Sequence, residues 1–199
     1  MTLLQATVIL NKSDIVNELL DLGEIKKDIN KQFEYWERDR IIHNTYVQDF
    51  YTPLQYAIFK RFNDIANTLL DHGANVEVAT ERFKFTALHR AVEVRDTDMI
   101  EKLIEKGCNI NAKARDNVLT LTPIQTSAYL GHWDIVKLLL QKGADPEGVI
   151  RVAPSTKDPS LSFEDDIVTL HSLAEEAGQT EVLEMLRNVT SSSNNDRQL

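Results

Sequence analysis

The chain is short of glycine, with 7 in 199 residues, has a single cysteine, and carries no excess of positive charge. Glycine stands at about half its usual share, so where it occurs its position carries information. One cysteine, Cys108, excludes a disulfide framework and every multi-cysteine zinc motif, and it fits a reducing compartment. No apolar run approaches the roughly 20 residues that a bilayer-spanning helix needs, so direct membrane insertion is not expected. The segment from Met1 to Asp14 has a short apolar run but no basic flank and no small-residue cleavage site, so no signal peptide is expected. The sequons at Asn11 and Asn188 are accordingly read as chance matches. With 31 acidic against 22 basic residues, a formal net charge of -9, the global field repels nucleic acid, and proteins are the expected partners. What the chain does have is 42% hydrophobic residues, enough to bury the core of one large domain or two small ones.

Internal spacing organises the rest. Taking Thr52, Thr86 and Thr122 as origins, the chain reads Thr52-Pro53-Leu54-Gln55-Tyr56-Ala57, Thr86-Ala87-Leu88-His89-Arg90-Ala91 and Thr122-Pro123-Ile124-Gln125-Thr126-Ser127. Twelve residues after each origin stands an acid (Asp64, Asp98, Asp134), and twenty-one after each a glycine (Gly73, Gly107, Gly143). Two weaker copies start at Thr2, which leads to Asp14 and Gly23, and at Thr169, which leads to Ala174, Gly178 and Glu181.

Each copy reads as two short antiparallel helices. The small residue five positions in (Ala57, Ala91, Ser127, Ala174) lets the first helix approach its neighbours closely. Ser13, Asn63, Thr97 and Thr180, each followed by an acid, are predicted N-caps with a charge suited to the positive end of the second helix. Apolar residues then recur on one helical face, as in Ile65, Ala66, Leu69, Leu70 and Ile135, Val136, Leu139, Leu140. The glycine ends that helix in a left-handed conformation.

Thr122-Pro123-Ile124-Gln125 through Gly131-His132, then Asp134 to Leu140 and Gly143-Ala144-Asp145, resembles the ankyrin repeat. The resemblance implies an all-α solenoid of stacked helix pairs with short β-hairpin fingers and a curved concave face. Its units are expected near 2–23, 52–79, 86–113, 122–149 and 169–187. The origins lie 50, 34, 36 and 47 residues apart, against a family period of about 33, which defines insertions at 24–50 and 151–165. In the first, Ile25, Ile29, Phe33 and Trp36 fall on a helical seam, so a helix packed on the solenoid is predicted. Its aromatics Phe33, Tyr35 and Trp36, beside Arg38 and Arg40, are alternatively a partner contact; five acids and five bases between Glu24 and Arg40 leave no basic track for a nucleic acid. The second insertion, with Pro154, Pro159 and several serines, reads as a flexible loop, and the polar stretch 188–199 as a disordered tail.

No catalytic or metal constellation emerges from the five histidines. His89 occupies the hydrogen-bonding position at the turn into a first helix, and His132 follows Gly131; both read as structural. His43, His72 and His171 lack the spacing of a ligand set, and there is no glycine-rich phosphate loop or Gly-x-Ser-x-Gly elbow. Cys108 reads as a small packed residue. No catalytic residue, cofactor or metal is assigned. The resemblance places Asn111 where ankyrin repeats are sometimes hydroxylated by an asparaginyl hydroxylase.

The family's contact positions, carried onto this chain, are the fingertips and the end of each first helix. They give Arg82, Phe83 and Phe85, then Val118, Leu119 and Leu121, at the fingers; Phe59 and Lys60, Glu93 and Val94, Tyr129 and Leu130 on the helices; and Tyr51 ahead of the first strong unit. That surface is apolar and aromatic, as a groove for a protein or peptide requires. Phe83 and Phe85 alternate with Arg82 and Lys84, and Leu119 and Leu121 with Val118 and Thr120, so these strands either face the groove or bury their apolar sides against neighbouring fingers.

The first unit, Thr2 to Leu10, is apolar nearly all round, unlike a terminal repeat with a polar outer face. It is covered by the insertion, pairs weakly with another copy, or belongs to a longer array. The last unit, with Glu175, Glu176, Glu181, Glu184 and Arg187, reads as a C-terminal cap. The expected function is a non-catalytic protein-interaction module, an adaptor, scaffold or competitive inhibitor, in the cytoplasm or nucleus. The alternative is the ankyrin segment of a larger scaffold, channel or regulatory enzyme.

Overall fold

Five threonines set the geometry. In a computed structural model describing residues 1–23, 25–38, 46–115, 120–151 and 167–195, each begins a seven-residue helix. These first helices are α1 (Leu3–Ile9), α3 (Pro53–Phe59), α5 (Ala87–Glu93), α7 (Pro123–Tyr129) and α9 (Leu170–Glu176). Each is followed by an antiparallel partner: α2 (Ser13–Asp21), α4 (Asn63–Asp71), α6 (Thr97–Glu105), α8 (Trp133–Gln141) and α10 (Thr180–Asn195). The Thr52 hydroxyl accepts the Gln55 N–H at 3.2 Å while Gln55 Oε1 accepts the Thr52 N–H at 2.9 Å, closing a reciprocal cap that satisfies two otherwise orphaned donors. Thr2 with Gln5 and Thr122 with Gln125 repeat it.

The same residue also joins neighbouring units. Gln55 Nε2 donates to the carbonyls of Val78 (2.6 Å) and Phe85 (3.0 Å), Gln5 Nε2 to Lys31 (2.8 Å), and Gln125 Nε2 to Glu147 (3.4 Å). A second line of side chains runs across the units, with Glu77 accepting the Asn109 N–H (2.6 Å) and Asn111 accepting the Asp145 N–H (2.9 Å). The Asn111 side chain is therefore engaged in a unit-to-unit joint.

Packing follows from the apolar spacing. The first helices stack in the order α1, α3, α5, α7, α9, and one continuous core runs from Leu4 to Leu186. Ile65, Ala66, Leu69 and Leu70 of α4 and Ile135, Val136, Leu139 and Leu140 of α8 are buried, as their spacing predicts. Polar contacts supplement this between the outer helices, including Lys102 Nζ to Asn67 (2.8 Å) and Lys142 to Glu101 (3.0 Å). Gly107, at φ +82°, ends α6 in the left-handed region that favours glycine.

Several expectations change. Ser13, Asn63, Thr97 and Thr180 are the first residues inside their helices, not N-caps, and the cap before α6 is Asp96, whose carboxylate accepts the Met99 N–H at 3.0 Å. The helix predicted through Phe33 and Trp36 is a strand: β1 (Phe33–Arg38) pairs antiparallel with β2 (Tyr46–Tyr51), from Phe33 opposite Tyr51 to Arg38 opposite Tyr46. Phe33 is buried, Tyr35 half-buried, and Glu34 and Trp36 are exposed, so alternation of period two prevails over the helical seam, as aromatic side chains favour. Among the described residues of the insertion, helical structure is confined to a short 3-10 turn at Lys26–Asp28, which precedes the buried Ile29. The first insertion is thus an enlarged finger. Two further hairpins, β3 (Ala114–Arg115) with β4 (Thr120–Leu121) and β5 (Val149–Arg151) with β6 (Ile167–Thr169), complete the described fingers. Most of the insertion at 151–165 lies outside the described residues, as do 196–199. Over 188–195 the chain is helical rather than disordered, since α10 propagates from turns anchored by buried Val182 and Leu186.

Candidate protein-binding groove

The fingers and the ends of the first helices sort the described members of the thirteen expected contact residues into two groups. Phe83, Phe85 and Leu121 are buried, forming a second small core with Ala114 and Ile150, against which Tyr129 and Leu130 pack. Neighbouring fingers therefore bury their apolar sides against one another, and these three residues support the surface from beneath. Tyr51 is fully buried, and Glu93 is only 7% exposed. Val118 and Leu119 lie outside the described residues. Phe59, Lys60, Val94, Tyr129 and Leu130 are half-buried and Arg82 is exposed, so these six remain accessible.

Beneath them lies a feature that the helix-end positions did not reveal. Arg90, on α5, is buried with its guanidinium 4.6 Å from the ring centres of both Tyr51 and Phe85 and 5.7 Å from Phe59. Its Nη1 lies 2.7 Å from Glu93 Oε2, so the Glu93 carboxylate is held inside and is not offered to a partner. Desolvating such a pair is costly, and the flanking aromatic faces offset part of that cost. Arg90 stands four residues after its origin, where the other units hold Ala6, Tyr56, Thr126 and Leu173, so a charge at a core position was the available signal. Asp49 of β2 was likewise missed. It is fully buried, and its carboxylate accepts the N–H groups of Phe50 (2.7 Å) and Arg82 (3.0 Å), tying the first finger to the second.

A second cation covers the neighbouring rings. Lys60 Nζ sits 4.9 Å from the Tyr35 ring centre, 5.2 Å from Phe59 and 5.7 Å from Tyr56. Arg82 lies 5.1 Å over Phe83. The expected greasy surface is thus an aromatic layer covered by positive charge.

Phe59, Lys60, Glu93 and Val94 come together with Arg61, Arg95 and His132 around a pocket of about 490 Å³ at the turns joining the helices of successive pairs. Arg61 donates to the Val94 carbonyl, and Arg95 Nε lies 3.0 Å from Asp134 Oδ2, so each arginine reaches the next unit. That contact holds the exposed Asp134 carboxyl below its ordinary value against partial desolvation. His132 Nδ1 lies 3.2 Å from the Val92 carbonyl, which makes that nitrogen the donor.

Of the other chemistry-bearing side chains, those described are partly or fully buried or engaged with neighbours. His89 is fully buried, with Nδ1 accepting the Thr86 N–H (3.2 Å) and Nε2 donating to the Leu121 carbonyl (3.2 Å). Burial pushes its pKa down to about 4, so it is neutral at pH 7. Burial, with Glu77 nearby, pushes the Cys108 thiol up to about 11, which keeps it protonated and weakly nucleophilic. His72 pairs with Asp21 (3.1 Å) and His171 with Glu175 (3.6 Å), while His43 lies outside the described residues. Among the described residues, no group of three or more His, Cys, Asp or Glu side chains is placed to hold a metal ion, and no helix is long and apolar enough to cross a membrane.

These helix pairs, fingers and caps agree with the sequence comparisons. The family profile described as ankyrin repeats (3 copies) matches residues 3–114 and 77–150. The chain belongs to the ankyrin-repeat proteins, a family of general protein-interaction modules. It is 36% identical over 98 residues to the putative ankyrin repeat protein FPV014 of fowlpox virus (strain NVSL), covering 49% of this chain and 22% of that protein. It is 29% identical over 119 residues to the mouse B-cell lymphoma 3 protein homolog, covering 59% and 25%. A match of 37% over 59 residues to human 2-5A-dependent ribonuclease covers 30% of this chain and only 8% of the enzyme. The chain thus spans a quarter or less of these relatives.

Proposed function

We propose that this chain is a non-catalytic interaction module, an adaptor, scaffold or competitive inhibitor, that holds a protein or peptide segment in the groove between its fingers and first helices. The observation that carries this reading is the pocket at the ends of the first helices where Phe59, Lys60 and Val94 meet across two units; Tyr129, Leu130 and Arg82 are also accessible. The proposed compartment is the cytoplasm or nucleus, in keeping with one protonated cysteine. Selection of random displayed peptides on the purified chain tests the groove. Binders should lose at least about tenfold in affinity to Phe59→Ala with Tyr129→Ala, which is about 1.4 kcal/mol. A folded double variant that keeps full affinity overturns the reading.

The first unit favours a second reading, in which the chain works beside further units or a second copy. Leu3, Leu10 and Leu22 are 60%, 66% and 72% exposed, and the enlarged finger leaves them uncovered. Weak self-association through this face should appear as a concentration-dependent sedimentation coefficient, abolished by Leu3→Ser with Leu10→Ser. Sedimentation as a monomer at every concentration excludes the second copy.

A further inference from the structure

The five turns joining the helices of each pair adopt the same left-handed backbone, but different residues occupy it. Gly131 and Gly178 do so at φ +72° and +65°, which glycine adopts without strain. At the equivalent positions Asn11 has φ +53°, Arg61 +58° and Arg95 +55°. Asparagine tolerates this region, whereas arginine is strained there. The two arginines are adjacent in the stack, both line the Phe59–His132 pocket, and Lys60 immediately precedes one of them.

Charge is what these positions gain. In a chain with 31 acidic and 22 basic residues, this pocket is lined by three cations. Among the described residues, no carboxylate lies within ion-pair distance of Lys60 or Arg61. The one acid in the lining, Glu93, is held by Arg90, and Arg95 meets Asp134 at the exposed rim. Phe59 and Val94 supply apolar surface between the cations. Screening over a Debye length of about 8 Å makes these nearby cations count for more than distant charges of the chain.

We propose that the pocket takes an acidic peptide segment, with Asp or Glu carboxylates on Lys60, Arg61 and Arg95 and a neighbouring apolar side chain against Phe59 and Val94. The inference rests on the groove reading above and adds the chemistry of its partner. Guanidinium groups suit this role because their paired N–H groups match a carboxylate. Arg61 is also pre-positioned by its bond to the Val94 carbonyl.

The strained turns allow binding to be separated from folding. Arg61→Gly with Arg95→Gly removes two cations while giving each turn the residue that Gly131 already provides. The displayed-peptide selection should enrich Asp and Glu over the starting library. A fluorescent peptide with Glu at every polar position of a Phe/Leu frame should bind at least about tenfold more tightly than its Gln counterpart at low salt, with the advantage falling as the Debye length shrinks. The double glycine variant, which keeps Lys60 alone of the three cations, should remove most of the Glu peptide's advantage without lowering the melting temperature. Enrichment of neutral or basic peptides, equal binding of the two frames, or full retention of the Glu preference by the glycine variant overturns the proposal. In each of those cases a loss of binding on Phe59→Ala leaves the groove reading standing. Failure to select any peptide that depends on Phe59 overturns both.

Discussion

The joints between first helices and the turns at their far ends differ in how much they vary along the array. At the joints, the same device recurs from unit to unit: a threonine cap, a Gln or His three residues later that reaches the next finger, and an apolar stack. At the turns, one backbone conformation is kept and the residues diverge, from Asn11 to Arg61, Arg95, Gly131 and Gly178. Uniformity marks what the fold needs in order to stack. Divergence that accepts strain, as at Arg61 and Arg95, marks what stacking does not require.

The strongest test of that contrast lies in the stack. Leu103 is fully buried on α6, and Leu103→Ala should cost about 2–5 kcal/mol by leaving a cavity, read as a lower urea midpoint. An effect below about 1 kcal/mol would mean that the stack relaxes as easily as the turns.

A middle-sized effect comes from the joint where His89 stands in place of glutamine. His89 has its pKa lowered from 6.5 to about 4, so on acidification the unfolded chain takes up the proton first. Its contribution to stability is complete above about pH 6.5 and declines as pH falls to about 4, a loss of about 3 kcal/mol. His89→Gln restores the residue used at Gln55 and Gln125. It should leave stability at pH 7 within about 1 kcal/mol of the parent, one hydrogen bond's worth, and flatten the acid decline, as measured by urea unfolding across this range. An undiminished decline in the variant would assign it to carboxylates elsewhere.

The smallest effect has the opposite sign. Arg61→Gly should stabilise the chain by up to about 1 kcal/mol by relieving the left-handed strain, visible as a raised melting temperature. Destabilisation would show that the bond from Arg61 to the Val94 carbonyl outweighs the strain, and would turn a feature of the surface into one of the stack.

The stack was legible because its determinants are local and repeated. A threonine cap, a small residue at the fifth position and a helical apolar face recur at equal spacing, and helix α4 buries the residues its spacing predicts. The first finger was not, because Phe33 and Trp36 fit a helical face while Phe33 and Tyr35 fit alternating strand positions; only pairing with Tyr46–Tyr51, distant in sequence, decides between them. Register with the family led to Phe59, Lys60 and Val94, which line the pocket, but left open whether Phe83, Phe85 and Leu121 face the groove or one another, and neighbouring fingers bury them. Arg90 and Asp49 escaped notice because their partners, Tyr51, Phe85 and the Arg82 N–H, come from other units.

The Gln-to-finger joints also govern where the chain accommodates extra length. Gln5 reaches Lys31, Gln55 reaches Val78 and Phe85, and Gln125 reaches Glu147, so a residue added within one of these spans would pull a donor off its carbonyl. Two of the stretches between paired strands lie outside these three spans: from Arg38 to Tyr46, beyond the grip of Gln5, and from Arg151 to Ile167, beyond the grip of Gln125. They fall within the two segments where the repeat is longest. For protein engineering they are the natural insertion points, where a grafted epitope or a dye-bearing loop would hang from the array without entering its joints.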